Sequence, residues 1–174
     1  SFDNMGHGGV FVRRLPPVGQ PVTRIFGTPA LALMWAGDRL ALLLPVPGGE
    51  LVWAVWDPPS AAPDGEQDGP GTLTVAREAF QPHPTFDQRV LPFFDQFERN
   101  PRFWSPTRDA LVYTDNGCCV MVQPFPLPGH SDSQRSSSGQ SHPLSNLVGA
   151  GEITQTAPPA IPITPGMFAC WSPC

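Results

Sequence analysis

The chain contains no lysine, and all ten of its basic residues are arginines, of which only Arg13 and Arg14 are adjacent. Against fifteen acidic residues they leave a net charge of −5. Phosphate backbones and anionic membranes are held by clustered positive charge, so partners of that kind are not expected. Charged residues of either sign make up only 14% of the chain, well below the usual quarter. No apolar run approaches the roughly 20 residues of a membrane-spanning helix. No charged-then-apolar leader is visible, and the chain opens on Ser1, which suggests a processed product or a fragment. Cysteines are few: Cys118, Cys119, Cys170 and Cys174. Neighbouring cysteines resist pairing with each other, so these four do not read as a disulfide framework, and reduced intracellular thiols are expected.

The residues of chemistry are sparse too. No Gly-x-Ser-x-Gly elbow is present, and Gly139-Gln140-Ser141-His142-Pro143 fails at its last glycine. His7, His83, His130 and His142 lack ligand spacing. Gly6-His7-Gly8-Gly9 is followed by no lysine and so does not make a phosphate loop. The expectation is a chain with no catalytic residue, no cofactor and no metal ion.

What the chain has in excess is proline and glycine, 24 and 17 residues, nearly a quarter of its length. That composition disfavours long helices and favours short strands joined by tight turns, an all-β fold. Strands are expected over residues 8–15, 22–26, 31–35, 40–46, 51–56 and 72–80, then 110–114 and 118–122 joined by an Asn116-Gly117 hairpin turn, and 153–156. Residues 57–71 and 124–149 carry Pro, Gly, Ser and Asp without periodicity and read as loops. One helix is expected over residues 85–99. Thr85 and Gln88 fit a capping box, Phe86, Val90, Phe93, Phe94 and Phe97 share a face, and Pro92 should kink it. Trp53 and Trp56 fall on opposite faces of their strand, which predicts one of them exposed or at an interface. Cys118 and Cys119, likewise, should place one thiol in the core and one outward.

The pattern that organises the chain is a tryptophan turn. Phe103-Trp104-Ser105-Pro106-Thr107-Arg108-Asp109 leads into the alternating Ala110-Leu111-Val112-Tyr113-Thr114. Met34-Trp35-Ala36-Gly37-Asp38-Arg39 has the same shape, and Phe168-Ala169-Cys170-Trp171-Ser172-Pro173 restarts it. The three tryptophans lie 69 and 67 residues apart, a period that marks a repeat architecture. The unit resembles the WD40-like repeat of TolB-type β-propellers, found also in the N-terminal propellers of the dipeptidyl peptidase and prolyl oligopeptidase family. The likeness covers residues 31–124. Trp104-Ser105-Pro106 carries it best, although the family's Asp-Gly turn is here Thr107-Arg108-Asp109, while Trp35-Ala36-Gly37 lacks the Ser-Pro pair.

The resemblance implies a partial propeller of about two to three antiparallel blades, with one inserted amphipathic helix and long Pro/Ser/Gly-rich loops. Its parts would be an incomplete blade over residues 1–30, blades over 31–124 with the helix at 85–99, a flexible loop over 125–151, and a strand with a truncated repeat over 152–174. Trp35, Trp104 and Trp171 would be structural anchors. Fewer blades than a closed ring needs leave open sheet edges, and open edges invite a protein partner or completing chain. The expected function is a non-catalytic scaffold or accessory subunit, with Trp53, Trp56, Phe86, Phe93, Phe94 and Phe97 as candidate interaction residues. The alternative is the propeller portion of a prolyl oligopeptidase-type hydrolase whose catalytic domain lies elsewhere; a weaker one is a small-molecule or metal sensor using the cysteines. The expected location is intracellular, with no segment to name a compartment, an organelle such as a chloroplast included.

Overall fold

The computed structural model describes residues 9–12, 23–27, 29–59, 71–94, 103–127 and 153–171. Within them the fold is all-β: ten strands in three open sheets, paired antiparallel except at one edge. In the largest sheet β3 (Ala32–Ala36), β4 (Arg39–Pro45), β5 (Leu51–Asp57) and β6 (Thr72–Val75) run as a meander, and β9 (Ile153–Thr156) adds parallel to β6. A second sheet has the order β10 (Ile161–Pro165), β8 (Cys119–Pro124), β7 (Ala110–Thr114). Residues 103–105 lie along the far side of β7 through Ser105 N–H to Ala110 O and Val112 N–H to Phe103 O, both 2.9 Å. β1 (Val10–Val12) and β2 (Thr23–Phe26) form a two-stranded pair.

The apolar pattern explains the layering. β4 and β5 are buried along nearly their whole length, which is what near-continuous Leu, Val, Ala and Trp produce when both faces of a sheet are covered. Leu40, Leu42, Leu44, Val52 and Ala54 occupy one face; Ala41, Leu43, Trp53 and Val55 occupy the other. Each fully buried large side chain contributes about 1.5–3 kcal/mol. Trp53 and Trp56 do sit on opposite faces, but both faces of β5 are covered and both rings are buried. Of the two outcomes expected for this pair, an exposed ring or one at an interface, exposure is not seen.

The β3–β4 turn is a two-residue loop, Gly37-Asp38, with positive φ (68°) at its first position only, the pattern of a type II′ hairpin. The β7–β8 turn differs from its expectation. Asn116-Gly117 does not supply the positive φ; Cys118 does, at 57°. Its N–H bonds Asp115 O at 3.1 Å, and the Asp115 carboxylate accepts the Cys119 N–H at 2.9 Å. The side chain of Asp115 thus caps a longer loop, β8 begins at Cys119, and neither thiol enters the core: Cys118 is exposed and Cys119 half-buried.

The expected amphipathic helix is also different. Residues Phe86–Val90 form a π-helical turn and Leu91–Phe93 a 3-10 turn. Pro92 has no N–H to give, and the register slips around it: Leu91 N–H reaches Phe86 O, five residues back, and Phe94 N–H reaches Leu91 O, three back. Thr85 makes no side-chain cap; His83 does that work, its Nδ1 accepting the Thr85 N–H at 3.1 Å and its carbonyl accepting from Phe86 and Asp87. The helix's expected second half, with Phe97, lies outside the described residues, as do the loop at 60–70 and residues 128–152.

β10 falls on a stretch for which no strand is expected, and it carries Pro162 and Pro165. It is an edge strand, where a missing N–H does least harm. Together β9 and β10 make a strap across both large sheets. Ala157 N–H bonds Val75 O at 2.8 Å in the first, and the buried Gln123 amide donates from the second to Pro158 O at 2.7 Å. No helix among the described residues is long and apolar enough to cross a membrane.

Candidate functional site

The two large sheets meet at a buried arginine. Arg39 closes the β3–β4 hairpin, and the strand alternation that puts Leu40 on one face aims Arg39 at the other, toward the second sheet. Its guanidinium grips Asp57 at the end of β5 in a fork, Nε to Oδ1 at 2.7 Å and Nη2 to Oδ2 at 3.1 Å, with both side chains at most 7% exposed. The remaining donors cross the seam: Nη1 to Arg108 O at 2.6 Å and Phe125 O at 2.9 Å, Nη2 to Pro126 O at 3.2 Å. The Trp104 ring lies 5.7 Å from Cζ, within cation–π range. A guanidinium suits this place because it offers five donors in a rigid plane.

The second tryptophan turn is built on hydroxyls. Ser105 Oγ receives the N–H groups of Asp109 and Ala110 at 3.1 and 3.2 Å, and Asp109 Oδ1 accepts from Ser105 and Thr107 at 2.8 and 2.5 Å. The Thr107 hydroxyl, foremost, with Ser105 holds the Asp109 carboxyl below its ordinary range. Arg108, between them, has φ 61°, the left-handed region that a β-carbon disfavours. Its carbonyl is held by Arg39, while its exposed guanidinium lies over Gly37, where any β-carbon would strike it.

Between this turn and β3 lies a cleft of about 200 Å³, lined by Met34, Trp35 and Ala36 on one side and by residues 103–106 with Arg108 on the other. Trp35 is 49% exposed on its outward edge, its ring edge-on to Trp56 at 6.5 Å. Trp35 therefore does not anchor sheet packing as expected; it sits on the free edge strand of the first sheet. Trp104 is buried, and its Nε1 has no hydrogen-bond partner among the described residues. Trp171 is half-buried.

The other candidates are dispersed. Phe86 and Phe94 pack on Phe103, edge-on at 6.0 Å and stacked at 5.7 Å. Both are buried core residues instead of a docking face. Of Phe93 only the backbone is described, and Phe97 lies outside the described residues. Exposed apolar side chains collect elsewhere: Leu31, Leu33 and Trp35 along β3, and Ile161, Ile163, Met167 and Phe168 along and after β10. Arg39, Asp57 and Arg108 escaped sequence reasoning; the one signal was an arginine set directly against a run of five apolar residues. Among the described residues no group of three or more His, Cys, Asp or Glu could hold a metal ion.

No family model matches the chain, and searches against curated proteins and solved structures return no significant match.

Proposed function

We propose that the chain is a non-catalytic scaffold or accessory subunit, built as a partial β-propeller, whose open sheet edges take a protein partner. Two antiparallel runs support the propeller reading: the meander β3 to β6, and residues 103–105 with β7, β8 and β10, the last joined after the chain has added β9 to the first sheet. Each run opens on a segment bearing a tryptophan of the repeat, Trp35 or Trp104, and Trp171 follows the second as the third copy. The observation that carries the function is where the exposed apolar residues fall. All but Leu127 lie on or directly beside the leading edge strand of one sheet and the last edge strand of the other. Scattered exposed apolar residues mean little, but rows of them on unpaired edges are what strand-pairing partners use.

The test compares the full chain with an Ile161→Asp/Ile163→Asp variant by light scattering after gel filtration and by affinity capture from the source cells. The reading holds if wild type associates, with itself or with a stoichiometric partner, and the variant does not. It is overturned if wild type runs as a monomer and captures the same proteins as the variant.

A further inference from the structure

The cleft between the two tryptophan turns has features that the scaffold reading does not use. Its volume, about 200 Å³, lies below the range of roughly 300–1,000 Å³ typical of cofactor and drug-sized sites. It suits one bulky side chain. Its lining is apolar and polar in equal measure, with the half-exposed Trp35 among the apolar walls and Ser105 and Arg108 among the polar ones. Its rim carries one cation: the Arg108 guanidinium, exposed and with no hydrogen bond or ion pair among the described residues.

The backbone at this cation is telling. A non-glycine residue in the left-handed region is held against its own preference, and such residues concentrate at binding sites. Arg108 is kept there by the Arg39 bond to its carbonyl and by the Ser105–Asp109 turn. Glycine would fold this turn with less strain. Arginine adds only a side chain, whose charged end rests on Gly37 and makes no hydrogen bond or ion pair among the described residues.

We infer that this cleft binds the C-terminal residue of a partner protein, an aromatic or large aliphatic side chain against Trp35 with the α-carboxylate forked by Arg108. This rests on the scaffold reading and names its ligand chemistry. One residue's space and one cation select a terminus over an internal acidic segment. A terminal residue carries its side chain and its carboxylate on one α-carbon, whereas an internal pair would need room for two side chains. Guanidinium and carboxylate match in bidentate geometry, and a planar ring suits the Trp35 face.

The probes are N-acetyl-L-phenylalanine and its amide, titrated into the full chain with tryptophan fluorescence and backbone amide shifts of residues 33–36 and 108 as readouts. The acid is expected to bind at least about tenfold tighter than the amide, the effect of one charge-assisted pair. Arg108→Gly, which relieves the backbone, should keep the fold and abolish that preference; Trp35→Ala should weaken acid and amide alike. Equal binding of acid and amide, absence of saturable binding, or a preference that survives Arg108→Gly overturns the inference. So does a preference for the acid in a chain whose captured partners are unchanged by Arg108→Gly, which would leave a carboxylate site without a protein ligand. The scaffold reading fails separately, on the Ile161→Asp/Ile163→Asp comparison.

Discussion

Replacing Arg39 by methionine keeps the apolar stem and deletes only the guanidinium, and the expected consequence is the loss of a large part of the stability of the fold. The Asp57 carboxylate, 7% exposed, would be left without its counter-ion. Stranding one partner of a buried pair costs about 3–5 kcal/mol. The Phe125 carbonyl, on a fully buried residue, would lose its Arg39 donor as well, at about 1–3 kcal/mol. The carbonyls of Arg108 and Pro126 lie on the surface side of the seam and can turn to water. Because these terms share one side chain they do not add fully, and a loss of about 4–6 kcal/mol is expected, against the roughly 5–15 kcal/mol that holds a domain together. Urea unfolding followed by tryptophan fluorescence and by far-ultraviolet circular dichroism measures it. The double variant Arg39→Met/Asp57→Leu should recover at least half of the loss, since it strands no charge. A single variant that loses less than about 1 kcal/mol, or a double variant no better than the single, would refute the view of Arg39 as the bond between the sheets.

Two further outcomes follow from local geometry. Cys118→Gly should stabilise the fold by about 0.5–1 kcal/mol, because φ of 57° is strained for cysteine and open to glycine; an unchanged or lower urea midpoint would show that Asp115 alone sets the turn. Tyr113, the only tyrosine, is buried, and burial foremost, with the nearby Asp115 charge, pushes its hydroxyl above the ordinary value of about 10. The unfolded chain ionises first, so stability from this group is full below about pH 10 and falls as pH rises beyond it. Phenolate absorbance should therefore appear together with unfolding; a phenolate signal in a chain that keeps its circular dichroism contradicts the burial.

Much of the sheet architecture was readable because β-strand side chains alternate and turns announce themselves. The strands around Trp35, Trp53 and Tyr113 appeared within a residue or two of their expected bounds. What could not be read are properties of the assembled fold. Arg39 looks like any turn residue until the carbonyls 69 to 87 positions away arrive. Trp35 and Trp104 carry the same motif and both lie at the outer edge of a sheet, but one meets solvent while the other is buried beside Arg39. The left-handed backbone at Arg108 leaves no mark in composition, whereas the Asn116-Gly117 pair advertises a left-handed turn that Asp115 moves to Cys118. The proline-punctuated β10 is invisible to a rule that takes proline as a break and visible to one that asks which strands have an edge to spare.

The strap formed by β9 and β10 also constrains the order in which the molecule can come together. The outer edge of β6 waits for Ile153, eighty residues later, and the outer edge of β8 waits for Ile161. Both sheets therefore receive their last strand from one short segment, at nearly the same moment of synthesis. Until it emerges, two hydrogen-bonding edges stand open on a half-made chain. Contacts of such long sequence separation slow folding and prolong the exposure of unpaired strands. This protein should depend on assistance during translation more than its size suggests.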